Sequence, residues 1–238
     1  MIVISYGVEK SGSTLAFEMA KAVLELGGHP QERLDDEFVN AGPTINEVGP
    51  WTDDRMARLV SCTQGTKIVV RTHHSPTRLS TDRVLDYLAS GDLKIHVSFR
   101  DPRDTVLSML DDGVRARDRG EKRHSEIRTI DDAIAILSER LTALREWGSF
   151  PSLRLPYDEY AFDRARGPQL IAEDLGVVTD PGEVWRVVDS RPTRKNVARP
   201  QRYKTELWPD ETTRIERAFP LYLDLVQGKP CVGWFAGR

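Results

Sequence analysis

The sequence has little of what marks a secreted, membrane-spanning or cysteine-rich protein. Its two cysteines, Cys62 and Cys231, are too few and too far apart for a disulfide framework or a cysteine metal site. Free thiols in a reducing cytoplasm are therefore expected. No apolar run approaches the roughly 20 residues that cross a bilayer, and no basic region precedes an apolar segment as in a signal peptide. We expect a cytoplasmic protein without a membrane span.

The chain also lacks a strong charge and a metal-binding motif. Its net charge is −3, which gives no general attraction to nucleic acid. The five histidines include no H-E-x-x-H motif and no obvious metal cluster, so we expect no metal. The charged share of 30% and the hydrophobic share of 39% are ordinary for a globular protein. A length of 238 residues is most simply one domain, 1–238.

Short apolar runs alternate with helical patterns along the chain, which predicts parallel β-α-β units. The expected strands cover 2–6, 67–72, 93–99 and 153–157. The main expected helices cover 13–27, 53–62, 79–89, 101–110, 130–147, 163–175, 181–189 and 210–219. This order predicts an α/β three-layer sandwich with a mostly parallel central sheet, resembling the P-loop nucleotide hydrolases.

Two segments look irregular. Residues 29–52 carry several prolines and glycines and predict a long loop. Residues 113–128 are dense in mixed charge, and we expect them to be mobile and exposed. Because binding pockets are often built from loops, these two segments are the expected walls of a substrate pocket.

The first candidate site is a glycine-bearing loop between the first strand and the first helix, Gly7-Val8-Glu9-Lys10-Ser11-Gly12-Ser13-Thr14. This geometry presents backbone N–H groups and a helix N-terminus to a phosphate. A nucleoside triphosphatase would show G-x-x-x-x-G-K-[ST], but here Ser13 stands in the lysine position and the lysine is Lys10. The loop therefore favours a phosphate-bearing ligand other than hydrolysable ATP.

Two further segments carry anion-binding side chains. The string from Arg100 to Ser108 runs from the end of the third strand into a helix, and a basic run begins Arg194-Lys195-Asn196. Ligands of open α/β sheets bind at the carboxyl ends of the strands. Since Lys10 and Arg100 both follow apolar strands, we expect them on one edge, holding two phosphates of one ligand.

These segments together resemble the sulfotransferases that use 3′-phosphoadenylyl sulfate (PAPS). The family's K-[SAT]-G-[ST]-T loop is matched by Lys10 to Thr14, and its arginine with a serine eight residues later by Arg100 and Ser108. Its R-K-G and W-K strings are approximated by Arg194-Lys195-Asn196 and Tyr203-Lys204. Its K-T-H-x-P string corresponds to the run from Arg71 to Pro76, and a Y-E-D-like string recurs as Tyr157-Asp158-Glu159. The matches keep the family's order over nearly the whole chain.

The resemblance implies a donor site for PAPS and its product, adenosine 3′,5′-bisphosphate (PAP). Lys10 would meet the charge that develops on the bridging oxygen. The loop residues Ser11 and Gly12, with the hydroxyls of Ser13 and Thr14, would hold the 5′-phosphate. Arg100 and Ser108 would bind the 3′-phosphate, with Arg194, Lys195 and Asn196 closing over it. A planar guanidinium suits this task because it pairs with two phosphate oxygens.

A hydroxyl acceptor needs a base, and histidine serves near neutral pH. The resemblance nominates His73 as the catalytic base. The chain has one extra residue before Pro76, so counting back from that proline nominates His74 instead. In an extended segment the two side chains point to opposite sides. We prefer His73. Arg71 replaces the family's lysine, which keeps the charge and changes the geometry.

The adenine platform differs from that of many family members. Leu15 stands where they have a tryptophan that stacks on the base. The platform must then come from elsewhere, with Tyr157 or Trp51 as candidates. Asn196 replaces a family glycine, which requires an unusual backbone conformation that asparagine tolerates better than most residues.

The predicted function is transfer of a sulfuryl group from PAPS to a hydroxyl, with an amine as the second choice. A P-loop small-molecule kinase is the alternative enzyme, and it lacks its lysine at position 13. A non-catalytic nucleotide-binding protein would be expected to lose Lys10 or both histidines, and all three are present. The acceptor, a small molecule or carbohydrate, and the oligomeric state stay open at this point.

Overall fold

Four strands form one parallel sheet within the residues that the computed structural model describes, which are 1–40, 46–191 and 199–229. The strands are β1 (Ile2–Gly7), β2 (Ile68–Thr72), β3 (Leu93–Phe99) and β4 (Leu153–Pro156), in the order β2-β1-β3-β4. All three pairings are parallel. The predicted α/β class is confirmed, and the four predicted strands agree with the observed ones to within a residue.

Strand β1 lies between β2 and β3, and its register fixes which loops are neighbours. Tyr6 pairs with Thr72 on one side, and Gly7 pairs with Ser98 on the other. The chain therefore leaves β1, β2 and β3 at nearly the same level of one sheet edge. The loop after Gly7, Arg71 to His73 and the Arg100 segment all begin there.

The sheet is covered on both faces, as its continuous burial predicts. Ile2, Ile4 and Tyr6 of β1 face one apolar core, and Val3 faces the other. The helices lie in chain order as α1 (Ser13–Leu26), α2 (Asp53–Cys62), α3 (Thr81–Ser90), α4 (Pro102–Asp118), α5 (Ile130–Gly148), α6 (Tyr157–Phe162), α7 (Arg166–Leu175), α8 (Pro181–Ser190), α9 (Tyr203–Glu206), α10 (Pro209–Ala218) and α11 (Pro220–Val226). Helices α1, α7 and α8 cover one face, while α3, α4 and α5 cover the other. The expected three layers are present.

Helix α4 begins where the sequence predicts but is longer. The Asp101 side chain accepts a hydrogen bond from the Arg103 backbone N–H at 2.9 Å, and Pro102 occupies the first helical position, both typical of a helix start. The helix continues to Asp118, beyond the predicted end at 110. No proline interrupts this stretch, and Ala116 is buried, so packing extends the helix.

Residues 113–128 are largely exposed, as their charge predicts, but 113–118 belong to α4 and Ile127 is buried. Arg117 donates hydrogen bonds from Nη1 to the carbonyls of Ser125 and Ile127, at 3.1 and 2.7 Å. Ile127 is 1% exposed and belongs to the core. The segment after α4 therefore folds back onto the helix, and its charged residues surround one apolar anchor that the charge pattern concealed.

The loop region before α2 also contributes to the core. Val39 and Val48 form an isolated antiparallel bridge, and Phe38 and Trp51 are buried. In the described ranges, no helix combines the length and apolar character needed to span a bilayer.

Candidate functional site

The Lys10 loop (residues 8–12) connects β1 to α1 and turns sharply at Gly12. Gly12 has a φ of 84°, in the left-handed region. A Cβ on Gly12 would lie 2.3 Å from Cδ2 of Tyr157 and 2.5 Å from the hydroxyl of Tyr160. Both the backbone angle and the close packing therefore require glycine here.

Helix α1 opens with free backbone donors. Gly12 is its N-cap, and within the described residues no side chain caps it. The first turn carries no acidic residue. The first N–H groups of a helix lack intrahelical partners and favour an anion. In contrast, the N-cap side chains of α2, α4, α5 and α8 accept hydrogen bonds.

The hydroxyls of the loop have different environments. Ser11 is fully buried, and its Oγ donates to the Val8 carbonyl at 2.7 Å, so it fixes the loop. Ser13 is buried at the helix start. The Thr14 hydroxyl accepts a hydrogen bond from Nη1 of Arg71 at 3.1 Å, which connects the helix start to the end of β2.

Lys10 forms an ion pair with a residue that the sequence analysis did not single out. Its Nζ lies 2.8 Å from Oδ1 of Asp112 on α4, and both side chains are 17% exposed. Lys10 has a φ of 69°, an unusual conformation for a residue with a side chain. The ammonium therefore lies at the sheet edge, partly open to solvent and held by a carboxylate.

Arg100 lies at the end of β3 and is 5% exposed. Its Nη2 donates to Oδ2 of Asp104 at 3.1 Å, and its guanidinium carbon lies 4.5 Å from the Tyr157 ring centroid. Its Nε is buried and has no hydrogen-bond partner among the described residues. An unpaired buried N–H is costly, so this donor is available to a ligand.

Helix α4 runs from the Arg100 end of the site to the Lys10 end. Asp104, Ser108 and Asp112 follow one another at intervals of four residues, which places them on one face. Asp104 pairs with Arg100, Asp112 pairs with Lys10, and buried Ser108 lies between them. Eight residues of helix span roughly 12 Å, so this face extends from one cation to the other.

Tyr157 fills the space between the two ends. It is 9% exposed, lies next to Gly12, and packs edge-on against Tyr160 and Phe162. Its proposed stacking on adenine is not tested by these contacts, which make it a packing residue of the site's floor. The other candidate platform, Trp51, is 1% exposed and donates from Nε1 to Thr72 Oγ1. The Trp51 suggestion is wrong because this indole is buried.

His73 contacts both Arg71 and Gly7, the last residue of β1 before the Lys10 loop. Its Nδ1 lies 2.8 Å from the Gly7 carbonyl and its Nε2 lies 2.8 Å from Nη2 of Arg71. A carbonyl only accepts and a guanidinium only donates, so the proton is on Nδ1 and Nε2 has the lone pair. Burial, followed by the Arg71 charge, lowers the pKa of His73 to about 4.

His74 is placed differently. Its backbone N–H donates to Thr72 Oγ1 at 3.0 Å, and its carbonyl accepts from Nε1 of Trp147 at 2.8 Å. Its side chain is exposed. Of the two candidate bases, His73 is therefore the one that contacts Gly7, where the Lys10 loop begins.

The basic run Arg194-Lys195-Asn196 lies outside the described residues. The chain that follows it is anchored beside Arg100. The Tyr203 N–H donates to Oδ1 of Asp104 at 3.0 Å, and the Arg103 guanidinium carbon lies 3.7 Å from the Tyr203 ring centroid. Arg202 pairs with Asp111 of α4 and with Glu206.

Sequence reasoning missed Asp112, His124 and Glu9, which form a cluster around Lys10. His124 Nδ1 lies 2.5 Å from Asp112 Oδ2, and its Nε2 lies 3.2 Å from Glu9 Oε2. The four-residue spacing from Asp104 through Ser108 to Asp112 was a usable signal for Asp112. His124 gave no such signal, because its position depends on how residues 119–128 fold back. Among the described residues, no group of His, Cys, Asp and Glu could hold a metal ion.

Comparison with known proteins gives a result at the level of structure. No protein-family model matches the sequence, and no curated protein matches it either. The solved structures that are similar over most of the chain include two with bound PAP. The mouse sulfotransferase SULT7A1, complexed with PAP, is 14% identical, with a TM-score of 0.56, over 92% of this chain and 82% of that one. Retinol dehydratase, in complex with androsterone and the inactive cofactor PAP, is 14% identical, with a TM-score of 0.50, over 96% and 81%.

The similarity is therefore one of fold, at low sequence identity. It agrees with the parallel sheet and the α/β class described above. The chain has the fold of the PAPS-dependent sulfotransferases.

Proposed function

We propose that the chain is a PAPS-dependent sulfotransferase that moves a sulfuryl group to a hydroxyl, or as a second choice to an amine, and releases PAP. One observation carries the proposal. Lys10 and Arg100 lie on the same sheet edge, and one face of α4 pairs with both through Asp112 and Asp104. A ligand with two phosphate groups can contact both cations along this face.

The residues present fit such a bisphosphate. The uncapped start of α1 offers backbone N–H groups to one phosphate. The buried and unpartnered Nε of Arg100 offers a charged donor to the other. Gly12 lets the loop pack against Tyr157 between the two phosphate positions, since a side chain there would collide with that ring.

The Lys10 end is assigned to the transfer of the sulfuryl group. PAPS supplies the sulfuryl group and a phosphate leaving group. Lys10 holds a positive charge at the sheet edge, where it would stabilise the charge that grows on the bridging oxygen. Ser13, Thr14 and the N–H groups of the first turn would bind the 5′-phosphate, while buried Ser11 and Gly12 shape the loop.

The Arg100 end is assigned to binding. Arg100 and Ser108 would hold the 3′-phosphate, and Arg194, Lys195 and Asn196 would complete the pocket, as the resemblance implies. Support comes from Tyr203, whose N–H bond to Asp104 anchors the following chain beside Arg100.

His73 is assigned as the base. Its Nδ1–H is held by the Gly7 carbonyl, so Nε2 is the atom that would accept the acceptor's proton. In this structure, Arg71 donates to that atom. Arg71 must therefore turn away from Nε2, towards the sulfuryl group, when the acceptor arrives. The acceptor is a small molecule or carbohydrate, and the loops 29–52 and 113–128 would line its pocket; residues 41–45 lie outside the described part of the chain.

Calorimetric titration with PAP, without magnesium, tests the proposal. We expect micromolar binding of PAP and weaker binding of adenosine 5′-monophosphate, because the latter lacks the 3′-phosphate that Arg100 would hold. Magnesium-ATP serves as the control ligand for the kinase alternative. Tight binding of magnesium-ATP with no response to PAP would overturn the proposal.

A further inference from the structure

A second histidine, His124, lies beside the Lys10 loop and is held between two carboxylates. Its Nδ1 is 2.5 Å from Oδ2 of Asp112, and its Nε2 is 3.2 Å from Oε2 of Glu9. An ionised carboxylate accepts hydrogen bonds but cannot donate them. Both ring nitrogens must then carry a proton, so His124 is an imidazolium in this arrangement.

The imidazolium is connected to Lys10 through Asp112. Oδ1 of Asp112 lies 2.8 Å from Nζ of Lys10, while Oδ2 faces His124. Arg115 also contacts Oδ1 at 3.2 Å. One carboxylate is therefore shared among three cations, and each cation reduces the attraction that remains for the others. We call Glu9, His124, Asp112 and Lys10 the His124 network.

The backbone at both ends of this network is unusual. Lys10 and His124 each have a φ of 69°. Residues with side chains occupy this left-handed region at a cost of about 1–3 kcal/mol, and they do so where the surrounding structure holds them there. The contacts of the network supply such a restraint at both positions.

The position of His124 is also fixed by contacts between its turn and α4. Ile127 is buried against α4, where a Cβ on Gly113 would lie 2.1 Å from the Ile127 carbonyl oxygen. Arg117 bonds the carbonyls of Ser125 and Ile127. The turn that carries His124 is therefore held against the same helix that carries Asp112.

We propose that His124 is a positioning residue, which acts through Asp112 to weaken the hold of that carboxylate on the Lys10 ammonium. The inference rests on the proposed function, in which Lys10 stabilises the departing phosphate. To do so, the ammonium must turn from Asp112 towards the bridging oxygen. The positive charge of His124 offsets the negative charge of Asp112. This lowers the cost of moving the ammonium away from that carboxylate.

The network implies a dependence on pH. The hydrogen bonds to Asp112 and then Glu9 raise the pKa of His124 to about 9. Above that pH the imidazole becomes neutral, Asp112 holds Lys10 more tightly, and turnover should fall. The charged and titratable groups around His124 come from the Lys10 loop, α4, the end of β2 and its own turn: Glu9, Lys10, Asp112, Arg115, His73 and Arg123.

A double-mutant cycle with His124→Gln and Asp112→Asn tests the inference. The assay follows release of PAP from labelled PAPS with water as acceptor, which gives sulfate and PAP and needs no natural acceptor. We expect His124→Gln to slow this release about tenfold, with the affinity for PAP unchanged, and the added Asp112→Asn to restore the rate to within about threefold of wild type. Asp112→Asn alone should be at least as fast as wild type.

A purely structural role predicts a different cycle. The double variant would then be no faster than His124→Gln, and that result would overturn the inference. His96→Gln is the matched control, since His96 is buried and pairs with Asp174 at 3.0 Å in another part of the fold. It should leave the rate of the folded protein unchanged.

The pH profile gives a second readout that leaves His124 in place. The rate of the wild-type chain should fall above about pH 9, and Asp112→Asn should remove this fall. An identical alkaline fall in Asp112→Asn would count against the inference. If the wild-type chain neither binds PAP nor releases it from PAPS, the proposed function fails and this inference fails with it. If the chain binds and releases PAP normally but the effects of the two substitutions simply add, the inference is overturned and the proposed function stands.

Discussion

The two ends of the proposed donor site are built on the same plan but differ in rigidity. Each is a cation paired with a carboxylate of α4. At the Arg100 end the side chains of the pair are 5% and 0% exposed, and the ring of Tyr157 packs on the guanidinium. At the Lys10 end both side chains are 17% exposed, and Asp112 is shared with His124 and Arg115.

This difference assigns different tasks to the two ends. A buried guanidinium that is fixed on two sides needs little rearrangement when a phosphate arrives, which favours binding. A partly exposed ammonium with a shared partner can move between two anions, which favours a step in which charge appears at a new place. Variants of Lys10, Arg100 and His73 test this difference between the two ends.

The largest expected effect is at the Lys10 end. Lys10→Ala should lower kcat by about 10²–10³-fold, as loss of a donor to developing charge does in other enzymes. The affinity for PAP should change only a few-fold, since the loop backbone is intact. Rates with labelled PAPS and calorimetry with PAP separate the two quantities.

Lys67→Ala is the matched control for that variant. Lys67 precedes β2 at the opposite sheet edge, and its Nζ donates to the Leu175 carbonyl at 3.0 Å. It should leave both quantities unchanged. If Lys10→Ala weakens PAP binding as much as it slows turnover, the two ends do not have different tasks.

A smaller effect is expected at the Arg100 end. Arg100→Ala should weaken PAP binding by about 10–100-fold, because hydrogen bonds to charged groups contribute about 1.5–3 kcal/mol each. At saturating donor, kcat should fall much less. Calorimetry with PAP measures the first quantity, and Arg214→Ala, an exposed arginine paired with Asp131, serves as control. Unchanged PAP affinity would show that the two ends do not share a ligand.

The smallest effect concerns His73 and acid. Its pKa is lowered from 6.5 to about 4, so the unfolded chain takes up a proton at a higher pH than the folded chain does. Its contribution to the free energy of unfolding is therefore present above pH 6.5 and is lost as the pH falls towards 4. Urea denaturation at pH 7 and pH 4.5 should show a larger loss for wild type than for His73→Asn.

The lowered pKa of His73 should also affect turnover, which depends on the Lys10 end, but not PAP binding at the Arg100 end. Because His73 stays neutral down to about pH 4, the acid fall of kcat/KM should occur near that pH and not near 6.5. PAP affinity should show no step caused by His73. His29→Asn is a suitable control, as His29 lies outside the site.

Much of this arrangement was predictable from the sequence because it depends on local patterns. The apolar run before Gly7, the Asp101-Pro102 helix start and the glycine spacing fix their elements directly. Parallel strands then require that Lys10 and Arg100 share an edge. The fold class is accordingly confirmed, and the assignment of roles to these residues stays a prediction.

The rest depends on contacts between distant segments. The mixed charge of 113–128 indicated an exposed segment and gave no sign of its path, which one buried isoleucine and the carbonyl contacts of Arg117 determine. Trp51 looked like an open aromatic platform, yet it lies in the core beside Trp147. Such outcomes follow from tertiary packing, which a single sequence does not display.

The backbone N–H of Arg100 donates to the hydroxyl of Tyr222 on α11 at 3.3 Å. Residues 100 and 222 are thus in contact beside the Arg100 end of the site, and the chain between them must be in place first. Nucleotide affinity should then serve as a reporter of complete folding, absent from partly folded intermediates. By mass action, PAP would shift such a population towards the native state, so adding it during refolding or expression is a practical way to raise the yield of this protein.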